Sequence, residues 1–408
     1  IMPSLVGSEM CIRDRSEAAA TGDAAESRRR RPAARRQFIL DAAAKAFSAG
    51  GYHTVRLEDI ADAVGISAPA LYRHFPTKYA LFAETTARLA DALADAVGAV
   101  GCGHPGELDD LLTAITTTSI ENRRTGGLYR WESRYLESSD GERVREVIIN
   151  QHRRIRSALR HRRPSLDDAD ADLITAAMTS VVASPSTHRA ALPAREAEAL
   201  IRAAALSLVS VELPAPAQLT PPTPVGLVPA ARREVILAES IALFATRGFR
   251  DVTIDDIARA AGIPASGVYR HFEGKAAILE AAFWRASDRV TASIADALAA
   301  ATTPHEAIVE LVSRYVGLSC GSTELITVYV TEIGHVSPKQ RTALRNQQRI
   351  TVEEWATWVT RCRPELSATQ ARFLVHAALG AITDLSRTSP QPSAARITAL
   401  GTRILLGE

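Results

Sequence analysis

The sequence predicts an all-α protein made of two tandem copies of one domain, and two observations carry this prediction. Apolar residues recur at helical spacing, as in residues 78–97 and 275–298, whereas strand-like alternation of useful length is absent. Arg35–Lys78 also aligns without a gap on Arg232–Lys275, with 19 of 44 positions identical. This period of 197 residues far exceeds the roughly 20–50 residues of a solenoid repeat, so it indicates two complete domains.

Composition narrows the class of protein. The chain has 408 residues and a formal net charge of only +2, so a nucleic-acid surface would have to come from local charge patterning. No run of 18 apolar residues and no secretory signal is seen, so no membrane contact is expected. The four cysteines are scattered, which favours a reducing, cytoplasmic location. No catalytic or metal-binding motif is present, so we expect neither an enzyme nor a cofactor.

The repeat and a proline-rich stretch set the predicted domain boundaries. Residues 4–15 resemble translated sequencing-adapter DNA, and we expect residues 1–15 to be an artefact outside the fold. Residues 212–230 hold six prolines, which favour an extended linker. The predicted order is a disordered tail (1–31), a first head (32–84), a first body (85–211), the linker (212–230), a second head (231–281) and a second body (282–408).

Each predicted head begins with an amphipathic helix, about Arg35–Ala49 or Arg232–Arg247, that ends at a Gly-aromatic pair. A short helix follows, LEDIADAV in the first copy and IDDIARAA in the second. Gly65 or Gly262 then permits the positive φ that a tight turn needs. A second short helix carries SAPALYRHF or PASGVYRHF. Two short helices joined by a turn with glycine predict a helix-turn-helix.

The second short helix has one apolar and one polar face. Leu71 and Phe75 are four residues apart and should face the core, so Tyr72 and His74 must point elsewhere. Such a polar face is also typical of an ordinary solvated helix. Because the whole frame recurs, we favour the alternative that both heads bind DNA, with base edges at the helix N-terminus and phosphates held by flanking Tyr, His, Lys and Arg.

Both domains resemble the TetR family of transcriptional regulators through GYHTVRLEDIADAVGISAPALYRHFPTK and GFRDVTIDDIARAAGIPASGVYRHFEGK. The resemblance implies an all-helical subunit with three DNA-binding helices and five or six others that enclose a ligand cavity and form a dimer interface. Members of the family usually act as homodimers. Here two subunits are fused, as in a small tandem subgroup, some of which control lipid and sterol metabolism.

The resemblance also implies roles for particular residues. Arg56 and Pro264 depart from the family pattern, because neither offers a side-chain oxygen to cap a helix, as Thr253 and Ser67 can. The small side chains at the start of each second helix suit close backbone approach and thymine-methyl contact. The expected phosphate contacts are Tyr72, His74, Lys78, Thr253, Tyr269, His271 and Lys275. The expected base-reading residues are Ser67, Ala68, Pro69 and Ala70 in the first head and Ala265, Ser266 and Gly267 in the second.

The family likeness predicts a small-molecule effector but gives weaker residue assignments. The stretch RCRPELSATQARFLVHAALGAI looks like a late helix of regulators that sense lipids, sterols or acyl-CoA. Packing alone explains most aromatic residues at helical spacing, so core positions are the competing interpretation. The expected pocket residues are Tyr129, Trp131, Glu132, Trp284, Tyr329 and Glu332. The basic stretch Ser27–Arg36 is either a solvated tail or an arm that grips DNA.

The predicted function is that of a cytoplasmic, ligand-responsive regulator, most simply a repressor, that releases an operator in double-stranded DNA on binding its effector. The rival is a ligand-binding or interaction protein in which one or both heads no longer bind DNA. The late helices, about Leu166–Ala183 and Leu366–Ser386, should pair within the chain as a pseudo-dimer. One chain should then bind one operator with two unlike half-sites, and a homodimer with four heads is the alternative.

Overall fold

The computed structural model describes residues 32–123, 128, 135–188, 190–216 and 229–407. Every regular element in these residues is a helix, so the all-α prediction is confirmed. Among the helices described, none combines the length and apolar character needed to cross a bilayer. The chain divides into two units, Ile1–Thr85 and Thr86–Glu408.

The first unit contains the first head. Its helices are α1 (Pro32–Gly50), α2 (Leu57–Val64), α3 (Ala68–His74) and the beginning of α4 (Lys78–Gly98). Phe47 lies at the centre of its core, with its ring edge-on to Phe82 at 5.4 Å between centroids. Arg36 pairs with Glu84 and donates to the carbonyl of His74 at 2.9 Å. These contacts fasten α1 to the end of α3 and the start of α4.

The second unit contains the first body, the second head and the second body. The first body adds α5 (Glu107–Glu121), α6 (Ser138–Arg162), α7 (Asp168–Ala183) and α8 (Ala194–Ser207). The second head comprises α9 (Arg232–Arg247), α10 (Ile254–Ala260) and α11 (Ala265–Tyr269). The second body comprises α12 (Lys275–Ala300), α13 (Pro304–Gly321), α14 (Thr323–Glu332), α15 (Pro338–Cys362), α16 (Ala368–Ser386) and α17 (Ala394–Leu406).

The late helices begin two residues after the positions suggested by apolar periodicity. Asp167 precedes α7 and accepts the backbone N–H of Asp170 at 2.7 Å. Ser367 precedes α16 and accepts the backbone N–H of Gln370 at 3.3 Å. A capping residue needs an extended backbone, so each helix starts only after its cap.

The second head shares its hydrophobic core with the second body. Buried residues of α9, α11 and α12 pack together with two buried residues of α14. These residues include Ile236, Phe244, Val268, Phe283, Leu325 and Val328. A change in the position of α14 would therefore disturb the core of the second head directly.

The two bodies share another core. Apolar residues of α7 and α8 from the first body pack with those of α16 and α17 from the second. This is the pairing of late helices that the sequence predicted within one chain. Its centre is rich in alanine, including Ala171, Ala177, Ala371, Ala377, Ala378 and Ala381, and small residues let the helix backbones approach closely.

Candidate nucleic-acid interface

A tight turn sets the angle between the two short helices of each head. Gly65 has a φ of 70° and Gly262 a φ of 66°, in the left-handed region where a side chain is strained. The next residue folds back in each case. The N–H of Ile66 donates to the carbonyl of Ala61, and that of Ile263 to Ala258, each at 3.0 Å. Both heads therefore have the same helix-turn-helix geometry.

In the first head, α3 presents a polar surface. Leu71 and Phe75 are buried, as the four-residue spacing predicted. Tyr72 is 47% exposed, Arg73 is exposed and His74 is half-buried. A hydroxyl, a guanidinium and an imidazole are thus grouped on one short helix, and all three are groups that hydrogen-bond phosphate oxygens.

The second head presents the same groups on a shorter helix. Val268 and Phe272 are buried, whereas Tyr269 is 57% exposed and Arg270 and His271 are also exposed. The α-helix ends at Tyr269, and the N–H of His271 donates to the carbonyl of Val268 three residues earlier at 3.0 Å. This tighter turn carries His271 further into solvent than its counterpart His74.

The residues expected to read bases lie at the start of these helices. Helix α3 begins at Ala68 and α11 at Ala265. Neither Ser67 nor Pro264, the residues that precede them, makes a side-chain capping bond, so the capping expected of Ser67 is not seen. Ser67, Pro69 and Ser266 are exposed, and the small residues beside them are half-buried. Both helix N-termini are therefore open to close approach.

The two heads differ at the start of the first short helix. Thr253 accepts the N–H of Asp256 at 3.1 Å, and Asp256 accepts the N–H of Thr253 at 3.0 Å. The N–H and the hydroxyl of Thr253 both donate to the carboxylate of Asp256 and, together with Arg247 at 3.2 Å, hold the pKa of Asp256 well below its usual range, so it stays ionised. In the first head Arg56 provides no capping oxygen, and its backbone N–H donates to the carboxylate of Asp59 at 3.3 Å.

The two lysines expected to contact phosphate lie on backbone carbonyls. Lys275 Nζ donates to Phe249, Arg250 and Val252 at 2.6, 3.1 and 2.7 Å. Lys78 Nζ donates to the carbonyl of His53 at 3.1 Å. Burial is the main cause of a lowered pKa at Lys275. An ammonium has three N–H donors, so all those of Lys275 are occupied, and this side chain fixes the loop between α9 and α10.

The expected pocket residues lie in packed surroundings where they are described. Tyr129, Trp131 and Glu132 lie outside the described residues. Trp284 donates to Gln340 at 3.1 Å. Tyr329 packs edge-on against Phe283 at 5.2 Å, and burial raises the pKa of its hydroxyl to about 12. Their role in ligand binding stays a prediction.

Glu332 is buried at the base of the second head. It is 1% exposed, and its Oε2 lies 3.0 Å from Nδ1 of His335. A Cβ built on Gly248, at the end of α9, would lie 3.8 Å from its Oε1. The His335 ring in turn packs at a tilt against Phe249, with 5.0 Å between centroids, and its Nε2 accepts from Arg250 at 3.2 Å. Glu332 and His335 therefore connect the end of α14 to the loop that Lys275 fixes.

Two imidazoles meet where the bodies join. The rings of His188 and His376 are parallel, 4.2 Å apart, and Phe373 lies edge-on to His188. Burial lowers the pKa of His376 to about 4. Burial, His376 and Arg123 together hold the pKa of His188 well below its ordinary value. Both rings are therefore uncharged at neutral pH, which allows them to stack.

These features define a tandem helix-turn-helix protein: two like heads, each followed by a helical body, with the bodies joined in one core. Residues 39–85 and 236–282 both match the family described as bacterial regulatory proteins, tetR family. The chain is a tandem member of that family. The match covers most of each head, including the turn and the Tyr-Arg-His-Phe segment.

Relatives of known name match parts of the chain. It is 40% identical over 63 residues to the HTH-type transcriptional activator FasR of Mycolicibacterium smegmatis, which is 15% of this chain and 29% of that protein. It is 31% identical over 129 residues to the regulator BetI of Agrobacterium fabrum, 31% of this chain and 61% of that protein. The repressor KstR2 of Rhodococcus jostii is 27% identical over 27% of this chain and 54% of its own length. The chain thus spans less than two thirds of each.

Solved structures of the family resemble about half of the chain. A TetR-family regulator from Bordetella parapertussis has a TM-score of 0.40 and 23% identity over 43% of this chain and 93% of its own. The ketosteroid regulator KstR2 of Mycobacterium tuberculosis has a TM-score of 0.38 and 22% identity over 45% of this chain and 96% of its own.

Proposed function

We propose that this protein is a DNA-binding transcriptional regulator whose two heads bind one operator. The observation that carries the proposal is the recurrence of one helix-turn-helix with an exposed Tyr-Arg-His at the end of its second helix. A solvated helix face would need no such recurrence. The proposal places the protein in the cytoplasm, where the bacterial chromosome lies.

Removal of two hydroxyls tests this proposal. Tyr72→Phe with Tyr269→Phe should weaken binding to every duplex by a similar factor, roughly 3- to 10-fold for each phosphate hydrogen bond lost. Tyr315→Phe, which removes a hydroxyl 3.3 Å from Thr383 inside the second body, is the matched control. Binding is measured by fluorescence anisotropy at several salt concentrations. If log K does not fall with log salt, the heads do not hold phosphates, and an interaction protein is the better interpretation.

The operator should have two unlike half-sites. The reading helices start with Ala68-Pro69-Ala70 in the first head and Ala265-Ser266-Gly267 in the second, and among these six residues Ser266 alone offers a side-chain hydroxyl. Because the bodies already pair within the chain, one chain should supply both heads. Selection from a random duplex library, followed by light scattering of the complex, tests both points. Two chains on a perfect palindrome would contradict them.

We also propose that a small apolar or acyl-type effector, such as a lipid, sterol or acyl-CoA, releases the operator, so that the protein acts as a repressor. Similarity to a protein named as a ketosteroid regulator supports this class of effector, and the core shared by α14 and the second head supports a route for the signal. An effector that favours the released state by 1–3 kcal/mol lowers affinity about 5- to 150-fold. Operator binding with and without acyl-CoA or ketosteroid tests the effector. A reporter gene tests the sign of regulation.

A further inference from the structure

The contact between the two bodies can be compared position by position, because the repeat aligns them without a gap at an offset of 200 residues. Positions that are buried in α7 are also buried in α16: Ala171, Ile174 and Val181 align with Ala371, Leu374 and Ala381. In the same way, Ala197 and Ala205 of α8 match Ile397 and Leu405 of α17. In a symmetric dimer each contact occurs twice, once in each direction. Each contact in this chain therefore has a mate position that can be inspected.

A buried charged contact between the bodies has no equivalent at its mate position. Arg396 of α17, with 8% of its side chain exposed, pairs with Asp170 of α7, which is 27% exposed. The mate positions hold Glu196, which is exposed, and Gln370, which is half-buried. The mate positions therefore carry a carboxylate and an amide, whereas the observed contact joins a guanidinium to a carboxylate.

Two further polar contacts are equally one-directional. Ser180 Oγ donates to the carboxylate of Asp384, whereas the mate positions hold Gly380 and Ser184. Ser184 instead donates to the carbonyl of Val181 in its own segment at 2.7 Å.

The third contact is made by a second arginine of α17. Arg403 Nε donates to the carbonyl of Ser207 at 2.9 Å. Its mate position holds Ala203, which has no donor. All three contacts thus join a charged residue of the second body to the first body.

We infer that this interface accepts only an unlike body and rejects a like one. Two first bodies would place Glu196 against Asp170 twice, and like charges at a partly buried contact repel. Two second bodies would leave the buried Arg396 facing Gln370 and the half-buried Asp384 facing Gly380, so that Arg396 loses its carboxylate and Asp384 loses the hydroxyl of Ser180. Only the first body against the second satisfies all three contacts. The inference concerns pairing of the bodies and does not depend on DNA binding.

Substitutions in the intact chain can create, at the interface between its two bodies, the contacts that two identical bodies would make. Gln370→Glu with Arg396→Glu gives the second body the acidic pattern of the first, so that carboxylates face each other at both mate positions. Gln370→Glu with Glu196→Arg is the matched control, because it shares one substitution and creates an ion pair in the second direction. Glutamate at 370 is close in shape to Gln370, whose Oε1 accepts the N–H of the capping residue Ser367, so the helix start is preserved.

Thermal unfolding and light scattering read the outcome. The acidic variant should unfold at least about 4 °C below the wild type, since 1 kcal/mol corresponds to about 2–4 °C in a domain of 150–250 residues. The control should match or exceed the wild type. Asp170→Arg with Arg396→Glu, which reverses the pair, should recover most of the loss and rules out simple misfolding. Equal midpoints for the acidic variant and the control would overturn the inference, as would failure of the reversed pair to recover stability.

Discussion

A substitution of Lys275 tests whether this residue holds the fold of the second head or contacts DNA. Its ammonium donates to three carbonyls of the loop between α9 and α10. Lys275→Met keeps the length and apolar stem of the side chain but removes all three bonds. Hydrogen bonds from a charged donor contribute about 1.5–3 kcal/mol. We take this as the total for the three, because the ammonium is only partly buried and water can replace part of its bonding. Opening of the loop should therefore become about 10- to 150-fold more frequent.

Amide hydrogen exchange across residues 249–252 measures that opening, and the salt dependence of DNA binding is measured on the same variant. We expect faster exchange and an almost unchanged salt slope. Lys339→Met removes an exposed lysine of the second body and is the control for charge. Unchanged exchange together with a salt slope lower by about one would refute this reasoning and support the phosphate contact that the sequence predicts.

Three further predictions concern the caps, a glycine and the paired imidazoles. A hydroxyl at the residue before the first short helix caps that helix. Thr253→Ala should therefore destabilise the second head by about 1 kcal/mol, and Arg56→Thr should stabilise the first head by a similar amount, as measured by chemical unfolding. No gain of stability in the first head would contradict this explanation. Gly267→Ala should stabilise α11 by about 0.4–1 kcal/mol, since the added methyl would lie 3.4 Å from Ile263 at a normal backbone φ. The same variant should change the base preference at one half-site in a duplex selection. An unaltered base preference would show that this position does not face DNA. The pKa of His376 is lowered to about 4 in the folded chain, so the unfolded chain binds its proton first and stability should fall as the pH drops from about 6.5 to 4. His376→Phe should flatten that part of the pH–stability curve, and an equally steep curve in the variant would assign the effect to other groups.

The heads could be predicted from the sequence because their signals are local. Gly65 and Gly262 mark turns that need a positive φ, and Leu71 and Phe75 mark the buried side of a helix by spacing alone. The repeat then doubled every such signal. The ends of the helices were harder to predict. Asp167 and Ser367 cap their helices from an extended backbone, and the spacing of apolar residues does not show where the extended backbone ends.

Contacts between distant segments could not be predicted in the same way. The sequence likeness suggested a phosphate for Lys275 and a pocket for Glu332. The structure places the first on three carbonyls and the second beside His335. Lys275 bonds to a loop that precedes its own helix, and Glu332 and His335 lie against Gly248 and Phe249, far earlier in the chain. One usable signal was present, however: at the offset of 200 residues, Glu196 aligns with Arg396, and an exchange of charge between repeats indicates a position where the two bodies play different parts.

The core that joins the two bodies has a genetic consequence. In a regulator assembled from separate subunits, a cell with one intact and one damaged gene copy makes mixed dimers, and the damaged subunits inactivate their partners. Here both bodies of the shared core belong to one polypeptide, from α7 and α8 to α16 and α17. If one chain alone occupies the operator, as proposed above, intact and damaged chains stay separate, and we expect a change that disables one head to be recessive to an intact copy of the gene.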